Sequence, residues 1–337
     1  MVNVVLALVP VLCLLVALTI LDSFKLVSPR VIGQALLGGA LAAVAALVVN
    51  TQLVEAGVSL PILRRYIAPV LEELFKLVFV VVAIWRRRVG FPVDAAILGF
   101  AVGTGFAVVE NAYYLEAVRS GSAALWLVRG FGAAILHGAT TAIAAIISQT
   151  LASRRTGATA QAFVPGLLAA VGIHALYNQF VFPPVVATLL LIAILPPLVL
   201  MTFEHSERST KEWVSAGMDL DMELLKLVLS DDFGQTRLGT YLHELRSRFP
   251  GPVVADMFCL MRVELELGIR AKGMLLAREA GIDVPIDQEI LDRLAEVKYL
   301  EKSIGPTGLL ALEPLQVSSD RDAWHKFLLK ARRDATA

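Results

Sequence analysis

Two adjacent glutamates and a lysine interrupt an apolar part of this sequence. Glu72, Glu73 and Lys76 precede the uncharged run Leu77 to Trp85. A charged side chain at the middle of a membrane helix costs on the order of 2.5–3.5 kcal/mol, so it persists where it faces a protein interior or a water-filled cavity. Lys76 can pair with either carboxylate on one helical face, because the spacings are three and four residues. One carboxylate remains without a partner, and it is the first indication of chemistry.

The next three apolar stretches also carry polar side chains. These residues are Glu110 and Asn111, then Arg129 and His137, and finally His174 and Asn178. His174 and Asn178 are four residues apart and therefore share a helical face. Two neutral imidazoles and a carboxylate form a plausible zinc set with an open position for water.

Two versions of one reaction fit these residue types. With a metal, a second carboxylate would be the general base that takes the proton of the bound water. Without a metal, a buried glutamate would activate water directly, and the two histidines would stabilise the oxyanion. Both versions predict hydrolysis inside a membrane.

Other interpretations of the same residues stay open. Glu72 or Glu73 with Lys76, and Glu110 with Arg129, would make ordinary structural ion pairs. A wholly structural role for so many costly groups on four consecutive apolar stretches is disfavoured. The alternative functions are a proton- or ion-coupled transporter, which uses the same residue types as a relay, and an inactive membrane scaffold that binds through its tail.

The composition predicts a multi-span membrane protein. The 337 residues are 57% hydrophobic and 18% charged, and the mean hydropathy is +0.70. Seven apolar stretches are long enough to cross a bilayer, which takes roughly 17–25 residues. They are residues 2–21, 31–50, 65–85, 92–116, 124–151, 162–182 and 185–203.

The fold class predicted is all-α: a polytopic bundle of about seven spans, with core motifs in residues 65–180, and a soluble helical domain. Residues 1–203 form the membrane domain and residues 204–337 the C-terminal domain. Only seven of the 30 acidic residues fall before residue 204, so the tail is acidic and a nucleic-acid partner is not expected. No nucleotide cofactor is expected either. Helices are predicted near residues 222–229, 238–245, 253–280 and 285–299, with a last one at 318–329.

The basic residues predict the orientation in a cell membrane. Clusters after the first, third, fifth and seventh spans fall on one side when the N-terminus is outside and the C-terminal domain is cytoplasmic. They include Lys25, Arg86, Arg154 and Lys211, whereas Arg64, Arg65 and Arg119 fall on the other side.

The sequence resembles the PrsW family of intramembrane proteases. Glu72-Glu73-Leu74-Phe75-Lys76 is similar to its Glu-Glu-x-x-Lys motif, and Phe106-Ala107-Val108-Val109-Glu110-Asn111 to its Phe-Ala-x-x-Glu-Asn motif. Arg129 with His137, and His174 through Asn178, resemble its two later histidine motifs. CAAX-prenyl and bacteriocin-processing membrane proteases are the wider relatives.

The resemblance implies an intramembrane peptidase, commonly classed with metallopeptidases, that cleaves a membrane-anchored protein such as an anti-sigma factor. It implies that Glu72 or Glu73 activates water and that Glu110, His137 and His174 hold a metal, expected to be zinc, or orient that water. Lys76, Asn111, Arg129 and Asn178 would support these groups. Asn178 departs from the pattern, since aspartate is common there in some members and would raise the basicity of His174 more strongly.

Overall fold

The computed structural model describes residues 2–22, 24, 26–86, 88–118, 120–153, 160–282, 284–312 and 314. All regular elements in this part of the chain are helical, which confirms the predicted all-α class. The chain divides into two compact units, Met1–Arg208 and Ser209–Ala337. The basic residues Lys25, Arg87, Arg119, Arg154 and Arg155 and the helix predicted at 318–329 lie outside the described residues.

The first unit is a bundle of apolar helices. Its helices are α1 (Val2–Leu21), α2 (Pro29–Glu55), α3 (Leu60–Ile62), α4 (Ala68–Trp85), α5 (Pro92–Ala117), α6 (Ala123–Leu127), α7 (Ile135–Ser153), α8 (Val164–Asn178) and the start of α9 (Pro184–Val228). Large apolar side chains remain exposed around the bundle, as the lipid-facing surface of a membrane protein requires.

Six segments among the described residues are long and apolar enough to cross a membrane. They are Val2–Leu21, Pro29–Glu55, Pro92–Ala117, Ala123–Ser153, Ala160–Asn178 and Pro184–Val228. The chain is therefore a multi-pass membrane protein. The remaining predicted span coincides with α4, an 18-residue helix that is apolar except for Glu72, Glu73 and Lys76.

Helix α5 is the centre of this bundle, and glycine lets its neighbours approach it closely. A Cβ at Gly39 of α2 would collide with the Val102 carbonyl oxygen of α5. A Cβ at Gly103 of α5 would collide with the His137 carbonyl oxygen of α7. Backbone-to-backbone contact of this kind is how small residues hold membrane helices together. It brings α7, which carries His137, directly against α5.

Two π-helical turns precede the helices that carry polar residues. Leu63–Ile67 leads into α4, and Val128–Ala134 leads into α7. In the first, the Ala68 N–H donates to the Leu63 carbonyl, five residues back. Such turns shift the helical register and are frequent at functional sites.

The second unit is built from the end of α9 and from α10 (Arg237–Leu245), α11 (Gly251–Glu279) and α12 (Gln288–Leu312). Apolar side chains of these helices form its core. The Lys272 ammonium of α11 is buried there and donates to Asp221 Oδ2 at 2.7 Å and to the Gly217 carbonyl at 3.2 Å. Helix α12 bends at Gly305, whose φ of 72° is in the region that glycine adopts without strain.

Candidate active site

Glu73 is a buried carboxylate that accepts hydrogen bonds from three side chains. Its Oε1 accepts from Lys76 Nζ at 2.6 Å, from His174 Nδ1 at 2.8 Å and from Thr140 Oγ1 at 3.2 Å. These donors lie on α4, α8 and α7. Glu73 is therefore the partner of Lys76, and it fixes the orientation of the His174 ring, whose Nε2 keeps a free lone pair.

Lys76 determines which ring nitrogen of His137, the other histidine, carries the proton. It is fully buried, and its Nζ donates to His137 Nδ1 at 3.1 Å while lying 4.9 Å from the centre of the Phe106 ring. An ammonium group has only donors, so Nδ1 of His137 is the acceptor and the ring proton is on Nε2. Nε2 of His137 donates to Glu110 Oε2 at 3.1 Å.

Glu110 and Arg129 form the second ion pair. Arg129 donates to Glu110 Oε2 at 2.9 Å and, through Nε, to Asn111 Oδ1 at 2.8 Å. Asn111 in turn donates to the Ala7 carbonyl of α1 at 2.7 Å, and the Arg129 guanidinium lies 3.8 Å from the Tyr114 ring centre. The Glu110 side chain is 25% exposed, so it is the most exposed of the three carboxylates Glu72, Glu73 and Glu110.

Glu72 differs from the other two carboxylates. Its Oε2 lies 3.8 Å from His174 Nε2, too far for a hydrogen bond, and it has no other ion-pair partner among the described residues. Lys76 is paired with Glu73 and Arg129 with Glu110. The site therefore holds three buried or half-buried carboxylates and two fixed cations, and Glu72 is the group without a counter-charge.

A metal ion would complete this arrangement. Glu72, His137 and His174 each offer one ligand atom, and the three atoms lie within 4.8 Å of one another. The two imidazole rings are 4.9 Å apart and nearly perpendicular. Two imidazoles and a carboxylate suit zinc, and the divalent charge would neutralise Glu72. Glu73 also supplies the acceptor that a metal-bound His174 needs for its Nδ1–H.

Two contacts have to change before His137 could bind a metal through Nε2. The hydrogen bond from His137 Nε2 to Glu110 is lost, because Nε2 gives up its proton. In that state the ring proton belongs on Nδ1, where Lys76 donates in the structure. Lys76 would then lose His137 as a hydrogen-bond acceptor and keep only Glu73. Glu72 and His174 could bind a metal in the observed arrangement. His137 could bind it only after this rearrangement.

The structure places the predicted residues in two groups. Glu72, Glu73, Lys76, Glu110, Asn111, Arg129, His137 and His174 form one connected cluster. Asn178 lies outside it, since its Nδ2 donates to the Arg64 carbonyl at 3.0 Å. Thr140, which donates to Glu73, was not predicted from the sequence, although it follows His137 by three residues and so shares its helical face.

The family comparison agrees with the motif resemblance. A family model described as PrsW family intramembrane metalloprotease matches residues 28–202, slightly more than half of the chain. No curated protein and no solved structure matches the chain significantly.

Proposed function

Because the chain belongs to the PrsW family of intramembrane metalloproteases, we propose that it hydrolyses a peptide bond of a membrane-anchored protein at the cluster around Glu72, His137 and His174. The observation that carries this proposal is the uncompensated carboxylate of Glu72 beside the two histidines. A purely structural network would give a buried carboxyl a hydrogen-bond partner or a cation, and among the described residues Glu72 has only His174, at 3.8 Å.

The proposed metal ligands are Glu72, His137 and His174. A zinc ion held by these residues would supply a Lewis acid that binds the attacking water and polarises the scissile carbonyl. Glu72 takes the ligand role because its carboxylate lacks a partner, whereas Glu110 already has Arg129. This exchanges the roles that the family resemblance implies for Glu72 and Glu110.

The remaining side chains hold and move protons. Glu110 receives the proton of the attacking water and passes it to the amine that leaves, because it is the most exposed carboxylate of the cluster. Arg129 fixes the position of Glu110 and stabilises its charge. Glu73 holds His174 in the tautomer with a free Nε2, and Lys76 balances the charge of Glu73.

A metal-free version of the same hydrolysis is the second candidate. The contact from Lys76 to His137 favours it, because it leaves a proton on Nε2 of His137. That N–H would donate to the oxyanion of the tetrahedral intermediate, and Glu72 would activate the water.

The substrate and topology follow from the same features. A protease of this family acts on a membrane protein, and we propose a single-span substrate of the anti-sigma-factor type. The chain would lie in the cell membrane with its N-terminus outside and the unit after Arg208 in the cytoplasm, as the basic residues near the span ends favour. The cluster would then lie toward the outer ends of the helices, where α4 begins and α8 ends.

Metal content and cleavage can be measured on one preparation. We would purify wild type, Glu72→Gln and His137→Ala/His174→Ala without chelator, determine zinc by elemental analysis, and reconstitute each with a panel of single-span membrane proteins in liposomes. Glu55→Gln, at an exposed position that ends α2, is the matched control. We expect about one zinc per chain, lost in the double variant and reduced in Glu72→Gln, and strongly reduced cleavage in both variants.

Other results of this experiment would support or contradict the alternative functions. Cleavage that depends on Glu72 in protein without zinc supports the metal-free version. Ion flux without cleaved product supports a transporter. Full cleavage by Glu72→Gln contradicts both catalytic versions.

A further inference from the structure

The end of α8 is tied to the start of α4 by two side-chain amides. Asn178 Nδ2 donates to the Arg64 carbonyl at 3.0 Å, and Gln179 Nε2 donates to the Arg65 carbonyl at 3.3 Å. Both acceptors belong to the π-helical turn Leu63–Ile67. Two consecutive donors thus meet two consecutive backbone acceptors.

Pro69 and the change from π to α register together explain why these two carbonyls need donors. The turn is in π register, with the Ala68 N–H donating to Leu63 five residues back. The next bond in this register would run from residue 69 to the Arg64 carbonyl, and in α register residue 69 would serve the Arg65 carbonyl. Residue 69 is proline and has no N–H. In a membrane a freed carbonyl needs another donor, such as a side chain of a neighbouring helix or an ordered water, and here the donors come from the end of α8.

These hydrogen bonds connect the two helices that carry the reactive groups. Asn178 follows His174 by one helical turn on α8, and the Arg64 carbonyl lies two turns before Glu72 in the segment leading into α4. Between them His174 Nδ1 donates to Glu73 at 2.8 Å, and its Nε2 faces Glu72 at 3.8 Å. Any sliding or separation of the two helices changes both distances.

We propose that Asn178, assisted by Gln179, is a positioning residue that substitutes for the N–H missing at Pro69 and locks α8 to the start of α4, so that His174 is held at its working distance from Glu72 and Glu73. This role rests on the proposed function. It differs from tuning the basicity of His174, because Asn178 directs its donor at a backbone carbonyl.

Two substitutions at position 178 separate these roles. Asn178→Asp keeps the size of the side chain but removes the donor and places a carboxylate against a carbonyl oxygen. We expect kcat on a cleaved single-span reporter to fall on the order of 10- to 100-fold in both Asn178→Asp and Asn178→Ala, with KM little changed. Asn3→Asp, on α1, is the matched control. An Asn178→Asp enzyme as active as wild type would overturn the proposal and restore the basicity role.

A second substitution, at Pro69, distinguishes two roles of Asn178. Asn178 could position α8 against the start of α4, or it could only give the Arg64 carbonyl a hydrogen-bond donor. Pro69→Ala restores an N–H that can serve the Arg64 or Arg65 carbonyl without help from α8. In Pro69→Ala/Asn178→Ala we expect the melting temperature to return toward that of wild type while kcat stays low, because the link between the helices is still missing. Full recovery of kcat would show that Asn178 only satisfies a carbonyl.

Hydrogen exchange tests the link without any activity. We expect faster deuterium uptake in peptides covering residues 60–72 and 170–180 of Asn178→Ala than in wild type or Asn3→Asp. Unchanged uptake would disprove the link whatever the substrate is. Faster uptake in a protein that cleaves no member of the reporter panel would instead leave the link standing and contradict the proposed function.

Discussion

At the scale of single residues, the site is defined by which carboxylate pairs with which cation. Lys76 contacts Glu73, so Glu72 has no lysine or arginine partner among the described residues. The sequence predicted that one carboxylate would be left over, but spacings of three and four residues made both pairings equally feasible. The donors of Thr140 and His174, on two other helices, direct Glu73 toward Lys76. Contacts between distant parts of the chain made this choice, so the local spacing could not predict it.

The buried pair gives a prediction for stability. Lys76→Met keeps much of the side-chain volume but leaves Glu73 as a buried charge without its ammonium partner. We expect a loss of about 3–5 kcal/mol in the free energy of unfolding, measured by denaturant titration in mixed micelles. Lys211→Met is the control, since the Lys211 side chain is 53% exposed in its pair with Glu279 and should cost less than about 1 kcal/mol.

A companion variant checks the cause of that loss. Glu73→Gln/Lys76→Met removes both charges, and we expect it to be more stable than Lys76→Met alone. If the double variant is the less stable one, the loss comes from packing against Phe106 and not from the unpaired charge.

At the scale of elements, Gly103 allows the close distance between α5 and α7. Gly103→Ala would put a methyl group onto the His137 carbonyl oxygen, so α7 has to move and its histidine with it. We expect cleavage to fall at least about tenfold and the melting temperature to drop. Gly172→Ala, on α8 two residues before His174, meets no atom within 4 Å and should behave like wild type. Equal losses in the two variants would contradict a packing effect specific to Gly103.

The helices themselves were predictable, whereas their connections were not. Apolar runs of membrane length, separated by short polar segments, predict helices because a chain in lipid must satisfy its own backbone groups. The π-helical turns before α4 and α7 depend on where neighbouring helices supply donors. Pro69 was visible in the sequence, but its consequence depends on Asn178 and Gln179, which occur more than 100 residues later.

At the scale of the whole molecule, each unit contains a buried pair of a lysine and a carboxylate. In the second unit Lys272 and Asp221 join α11 to the end of α9. We expect Lys272→Met to raise the rate of limited proteolysis within residues 209–312 and to leave the zinc content of the full chain unchanged. Loss of zinc together with faster proteolysis would show that the folding of the two units is coupled.

The abrupt rise in charge after Phe203 predicted a domain change at residue 204, and the compact units divide after Arg208. Helix α9 runs without interruption from Pro184 to Val228, so the predicted last span and the first tail helix are one element. Composition reveals the change of environment along a helix, but it does not reveal whether the helix itself ends there.

The three charges of α4 also affect how the protein is made. Helix α1 has no charged residue, so the translocon can release it into lipid by itself. Helix α4 carries three charged side chains, each costing about 2.5–3.5 kcal/mol at the middle of a bilayer. The Lys76–Glu73 pair relieves part of that cost, but the partners His137 and His174 are synthesised 61 and 101 residues later. We therefore expect stable integration of α4 to depend on the helices that follow it in the chain.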